Sequence, residues 1–429
     1  MAGLDPRLSG LILLYSVHGI DFTWFRAFGD ESGHERSNAV RHENSVFHSV
    51  LKAVPWGVFD RAVAACHADK GVRRLSTRTQ FTALLYGQLS GAASLRALVE
   101  SFGSHARRLY HLGVRPVARS SLAEANAHRP EAVFSAVFAA LVARAQPRLA
   151  RQMGECVRLV DATTVRLSRL SESWARFSAD VCGAKAHVIY DPDADCPTYV
   201  AVTPQRINDI TAAKAMPLQP GATYVFDLGY YDFGWWAALD AADCRIVTRL
   251  KSNTPLTVAT ERLMPAGGLV TSTATILSDR TGYLPSRLAQ YRRNPMQARV
   301  REVCVRTETG KVLRILTNDL TAPATMIAEF YKRRWAIELF FRWIKQTLKI
   351  THFIGRSENA VCIQIAVALI AYLLLRIVQT AHGLRCGMLQ FARLVRSNLM
   401  HRKTPRQLLD PAILYPSKPH DHQLSLLWT

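Results

Sequence analysis

The stretch Tyr331-Lys-Arg-Arg334-Trp-Ala-Ile-Glu338-Leu-Phe-Phe-Arg-Trp-Ile-Lys345 decides how this chain is read. It is expected to form one helix, with Thr321 as N-cap and Pro323 in the first turn, since no glycine or proline follows until Gly355. At about 100° per residue, Tyr331, Arg334, Glu338 and Lys345 share an arc of roughly 60°. Ile337, Phe341, Ile344 and Leu348 share a second arc, centred about 80° away. One stripe can pack on a core while the other presents a carboxylate between two cations and a phenol. Such a carboxylate suits a site that grips both a metal ion and phosphates. The same spacing also suits a solvated face of paired Glu and Lys/Arg.

Two further acids bear on that choice. Asp161 lies in Val157-Arg-Leu-Val-Asp161-Ala-Thr-Thr-Val-Arg-Leu, which reads as a strand. Asp227 ends Ala222-Thr-Tyr-Val-Phe-Asp227, an apolar strand that runs into Leu-Gly-Tyr-Tyr. An acid in such a strand is costly unless it is paired or binds a metal. Two strand-end aspartates and a helical glutamate make a three-carboxylate set able to hold two divalent ions.

At these residues the chain resembles a known family. Asp161, Asp227 and Glu338 resemble the DDE triad of bacterial insertion-sequence transposases, and Tyr331, Arg334, Glu338 and Lys345 match the Tyr-2-Arg-3-Glu-6-Lys signature of the fourth insertion-sequence family. Asp227-Leu-Gly-Tyr-Tyr-Asp-Phe is similar to the family's second-aspartate motif; Gly183-Ala-Lys-Ala-His187-Val-Ile-Tyr-Asp191 and Asn208-Asp-Ile-Thr-Ala-Ala-Lys214 are similar to further stretches. The resemblance spans roughly residues 40–400. It implies a cut-and-paste DNA transposase with Asp161, Asp227 and Glu338 as catalytic metal ligands for two Mg²⁺ ions, Mn²⁺ being able to substitute. Tyr331, Arg334 and Lys345 would contact DNA phosphates. Lys185, with His187, would approach the same DNA or serve a structural role. The partners implied are terminal inverted repeats, target DNA and a second copy of the chain, in a bacterial cytoplasm at the nucleoid. Two rivals are a metal-dependent nuclease of the same fold without strand transfer, and a non-catalytic, domesticated DNA-binding protein.

Composition agrees. A length of 429 residues suits two or three units, and 49% apolar residues suffice for packed cores. A net charge of +21 points to a polyanionic partner. Eight scattered cysteines without a CxxC argue against a zinc module and a disulfide framework, and read as small buried side chains. The longest apolar run, Val361–Val378, contains Gln364 and Arg376 and is expected to be a helix buried behind a sheet rather than a membrane span.

The expected fold is mixed α/β: an RNase H-like core with a mainly β insertion, preceded by an all-helical N-terminal domain. Residues 1–43 are expected to be a poorly structured extension and 44–150 a helical domain that binds DNA or, on the alternative reading, serves oligomerisation or packing. The catalytic domain covers 151–355, with the insertion at about 251–320, and C-terminal helices and a tail cover 356–429. Strands are expected at 157–165, 184–190, 197–203, 222–228 and 244–250, with helices near 208–215 and at Phe233–Ala242. A hairpin is expected to pair Val300–Thr307 with Val312–Thr317 about Gly310. The family resemblance begins at Val40-Arg-His-Glu-Asn-Ser-Val-Phe-His48, with valine where methionine would stand. Translation is therefore expected to start at codon 40, residues 1–39 deriving from an over-extended reading frame.

Overall fold

A computed structural model describes residues 12–16, 44–145, 156–271, 274–287, 292–347 and 355–409. The first helices follow from serine caps and apolar spacing. They are α1 (Val46–Leu51), α2 (Trp56–Ala65), α3 (Thr77–Ser90), α4 (Leu95–Ser104), α5 (Ala106–Leu109), α6 (Arg119–His128) and α7 (Ala132–Ala145). Ser45, Ser76 and Ser94 open α1, α3 and α4, each accepting the N–H three residues on. The apolar positions of α1 and α3, with Phe59 and Phe134, form one buried cluster.

The strands are β1 (Ile12–Ser16), β2 (Val157–Leu167), β3 (Cys182–Asp191), β4 (Cys196–Pro204), β5 (Thr223–Val225), β6 (Arg245–Arg249), β7 (Thr257–Arg262), β8 (Leu269–Val270), β9 (Ala274–Tyr283), β10 (Val300–Thr307) and β11 (Val312–Thr317). They form one sheet in the order β1-β4-β3-β2-β5-β6-β11-β10-β9-β7, with β8 beside β9. β2, β3 and β4 are antiparallel, whereas β5 runs parallel to both β2 and β6. This is the RNase H-like order. The expected β insertion is not a separate body: β7 to β11 extend the same sheet through the pairing of β11 with β6. The hairpin has its anticipated limits, with Gly310 at φ 80° in the turn.

Two layers cover the sheet. On one face lie α9 (Asp209–Ala213) and α10 (Phe233–Ala241), over Val160, Ile189, Tyr224, Phe226 and Ile246. The short α8 (Glu172–Ala175) sits beside β3. On the other face are Leu159, Val188, Val225 and Val247. They share a core with α11 (Ala324–Arg333), α12 (Trp335–Thr347), α13 (Glu358–Ala381) and α14 (Met388–Asn398). By length and composition the 24-residue α13 could cross a membrane, yet 89% of its most apolar window is buried within the fold. It packs on α3, α6 and α7 and so joins the helical segment to the sheet.

Four expectations change. The long helix is two, because the backbone ladder tightens at Arg334: its N–H bonds the Tyr331 carbonyl at 3.2 Å, and Ile337 N–H bonds the Arg334 carbonyl at 3.3 Å. Its start moves to Ala324, since Asp319 takes the N–H groups of Thr321 and Ala322 and leaves Thr321 outside the helix. The strand expected at 222–228 ends at Val225, because the Asp227 side chain accepts the Gly229 N–H at 2.8 Å and turns the chain. Of residues 1–39, expected to lack structure, Ile12–Ser16 pair antiparallel with β4 and cover what would otherwise be an open edge. The other residues up to 43 lie outside the described residues, as does Leu348.

Candidate active site

Strand register aligns the site. Leu159 of β2 pairs with Val225 of β5, and Val225 pairs with Val247 of β6, all in parallel. Two residues on from each come Asp161, Asp227 and Arg249. Side chains two apart share a face, so these three project from neighbouring positions on the face that carries α11 and α12. Asp227 sits just past the strand, where its Oδ1 accepts from Gly229. A Cβ at Gly229 would lie 3.0 Å from that oxygen, so glycine suits the close approach.

α12 brings the third acid. Ile337, Phe341 and Ile344 are buried as the apolar stripe requires, and Phe340 widens it. The neighbouring stripe survives the break in the helix, because Arg334 keeps right-handed helical dihedrals. Its Nη2 lies 2.6 Å from Glu338 Oε1. Tyr331 is buried beside Arg334, with Arg249 and Asp227 also acting on it. Lys345 is half-buried and feels the charge of Asp161; burial nonetheless lowers its ammonium below the usual lysine range.

Asp161 carries the electrostatic signature of the site. Its carboxyl is pushed up to about 6 by burial, and the charges of Asp227 and Glu338 add to the rise. The Ala162 N–H, which donates to Oδ1 at 2.7 Å, and Arg334 work against it. The charges of Asp227 and Glu338 repel that of Asp161, and Arg334 opposes them. An all-oxygen donor set fits a hard divalent cation. The carboxylates are not closed into a cage, however. Among the described residues no three His, Cys, Asp or Glu side chains form a ready metal-holding group. Glu338 is turned onto Arg334 and would have to exchange that partner for a metal.

Lys185 and His187 are not brought to this site. Asp161 pairs with Val188 across β2 and β3, so residues 185 and 187 project from the opposite face. There Lys185 Nζ bonds Asp209 at 2.8 Å, and His187 Nε2 pairs with Thr203 Oγ1 at 2.8 Å in a buried position. Trp335 is 56% exposed. It lines a cavity of about 480 Å³ with Arg249, Tyr331 and Arg334, closed by the hairpin of β10 and β11. Arg249 escaped the sequence reading; a cation ending an apolar strand next to the acid-bearing ones was its signal. Arg333, also missed, reaches Asp193 in the turn between β3 and β4 and ties the end of α11 to the sheet.

The sequence is similar to those of known proteins. Residues 152–374 match the family model described as a transposase DDE domain, a span that contains all three acids. Residues 42–115 match a domain of unknown function (DUF4372). A Sinorhizobium fredii relative carrying the name of a transposase, y4zB, is 38% identical over 72% of this chain and 85% of its own length. A probable transposase for insertion sequence element IS5377 of Geobacillus stearothermophilus is 30% identical over 54% of this chain and 59% of its own. Among solved structures, a piggyBac transposase synaptic complex with hairpin DNA overlaps 88% of this chain and 84% of that one, at 11% identity and a TM-score of 0.42. A DDE-domain model that matches over half the chain, with a relative 38% identical over 72% of it, establishes that this protein belongs to the transposase DDE domain family.

Proposed function

We propose that the chain is a cut-and-paste DNA transposase, which cleaves at the ends of its element and transfers those ends into target DNA with divalent metal as cofactor. The observation that carries this reading is the raised Asp161 carboxyl, pressed by Asp227 and Glu338 and facing Arg334. Asp161 and Asp227 would hold two Mg²⁺ ions, or Mn²⁺ in their place, and Glu338 would complete one shell. When bound, the ions activate the attacking oxygen and neutralise the leaving one.

The chain's own side chains do the rest. If Glu338 took a metal, the Arg334 guanidinium it now holds would be free to grip a phosphate with two parallel bonds. Lys345 places a point charge near Asp161. Burial raises the Tyr331 phenol, so it stays protonated and donates a hydrogen bond. Arg249 extends the cationic rim towards the cavity under Trp335. Residues 44–150 would add DNA contacts, and a homodimer would hold two element ends, within the bacterial cytoplasm.

A strand-transfer assay on DNA carrying the element's own paired ends tests this. The wild-type chain with Mg²⁺ should cut and join. Asp161→Asn, Asp227→Asn and Glu338→Gln should each lose both steps while retaining DNA binding. Cleavage without joining would make the protein a nuclease, and cleavage by any variant would remove that residue from the ligand set.

A further inference from the structure

A second basic site lies away from the carboxylates. Where α1 and the segment after α5 meet the chain beyond α14, a cavity of about 310 Å³ is lined by Ser45, His48, Arg108, His111 and Arg402 among others. Two acid-free stretches of sequence meet there. Ser101–Ala123 carries four arginines and two histidines without an Asp or Glu, and Asn359–Leu409 contains no acid either.

The local field is positive. His48 is held below its ordinary value by burial, then by the charges of Lys52 and His111. His105 is lowered by burial, then by Arg108 and His401. No carboxylate enters either balance, and none of these groups forms an ion pair among the described residues. The cations are also held in place. Arg108 Nη1 donates to the Met400 carbonyl at 2.8 Å. The backbone of Arg402 bridges to Ser45, and Val46 N–H bonds the His401 carbonyl at 3.0 Å. Several histidines together suggest a metal, but no three of them gather to hold one and the arginines between them oppose a cation. Guanidinium forks, imidazoles and a serine hydroxyl instead match the oxygens of a phosphate. Beside His111, with ring centroids 5.0 Å apart, Tyr110 is 79% exposed at the rim. An exposed aromatic next to basic side chains is a common feature of nucleic-acid surfaces.

We propose that this cavity binds a backbone phosphate of duplex DNA, at the seam between the N-terminal helices and the end of the chain and apart from the catalytic carboxylates. The proposal rests on the DNA reading above. It gives the helical segment a defined role: a clamp that needs the segments near residues 45, 110 and 402 folded together.

The test uses the full chain and the double variant Arg402→Gln/His111→Gln, with Arg402→Gln alone as a milder control; both side chains are exposed. Duplex affinity is measured against salt, and melting temperature with and without inorganic phosphate at matched ionic strength. The double variant should bind duplex about tenfold or more weakly, and its slope of log K against log salt should flatten by about 1 for each phosphate it no longer neutralises. Cleavage at saturating DNA should be unchanged, and phosphate should raise the melting temperature of the wild type but not of the variant. A variant that melts like the wild type and keeps its affinity and salt slope overturns the proposal, even if free phosphate binds. Should the wild type bind no duplex, the DNA reading fails and the phosphate titration alone judges the pocket: a rise absent from the variant retains an anion site, and no rise removes it.

Discussion

At the scale of single residues, Asp161 is held at a cost to stability. Its folded carboxyl sits at about 6 against an ordinary 3.8. A raised folded value means that the stabilising contribution is complete below about 3.8 and disappears as pH rises through about 6. Without metal, the wild type should lose about 1–3 kcal/mol of stability across that window on account of this group. Asp161→Asn keeps the shape without the charge. It should be inactive, yet as stable as the wild type or more so at neutral pH, as denaturant unfolding in chelator would show; a clear loss of stability would mean that the carboxylate is satisfied in the fold. Cleavage by the wild type should fall as pH drops below about 6, because protons then compete with metal at Asp161. Arg334→Ala should lower cleavage by about a hundredfold or more, and Arg334→Lys should rescue it poorly, because an ammonium cannot form the two parallel bonds. Single-turnover cleavage beside a far-ultraviolet melt separates that loss from unfolding. Wild-type cleavage by Arg334→Ala would remove the arginine from the site.

At the scale of elements, what matters is how α11 is anchored. The buried Arg301 of β10 donates to both carboxylate oxygens of Asp279 on β9, each at 2.7 Å. It also reaches the carbonyls of Asp319 and Ala322, just before α11 begins. The β insertion thereby fixes where α11 starts, and with it Tyr331 and Arg334. Replacing Arg301 with Met leaves a buried carboxylate facing only the half-exposed Arg262, 3.3 Å away. The expected loss is about 3 kcal/mol, towards the lower end for a broken buried pair because Arg262 remains. Asp279→Leu added to Arg301→Met should recover much of it, and a chemical-denaturation midpoint measures both. No recovery in the double variant would show that the bonds to the carbonyls, not the ion pair, hold the joint.

At the scale of the whole molecule, charge governs partner binding. A net charge of +21 makes DNA association strongly salt-dependent. Duplex affinity should fall by at least about a thousandfold between 50 and 200 mM salt, the drop expected when six or more phosphates are neutralised. A flat titration would contradict the electrostatic account. α13 belongs to this scale too. It is apolar on all sides because α3, α6 and α7, the sheet and α14 surround it.

The sequence by itself determined what short-range geometry controls. Period-2 runs placed β2, β3, β4 and β6, Gly310 placed the hairpin turn, and period-3.6 spacing put Ile337, Phe341 and Ile344 on one buried stripe beside Glu338. These follow from side-chain direction along a local backbone, which any stretch of chain carries with it. The two aspartates and the glutamate stood out because an acid in an apolar element needs a reason to be there. Only the tertiary structure decided which face each side chain took. For Lys185 a DNA contact and a structural role were both open, and its pairing with Asp209 on the face opposite Asp161 came only with the fold, since parity alone gives no sign without the cross-strand partner. The break at Arg334 has no glycine or proline to announce it. Arg249 joins the row of Asp161 and Asp227 only through two parallel pairings, which bring together positions some twenty to ninety residues apart. The second basic cavity likewise exists only because residues near 48, 110 and 402 meet in space. Long-range register and packing are properties of the assembled sheet and its covering helices, and no local period encodes them.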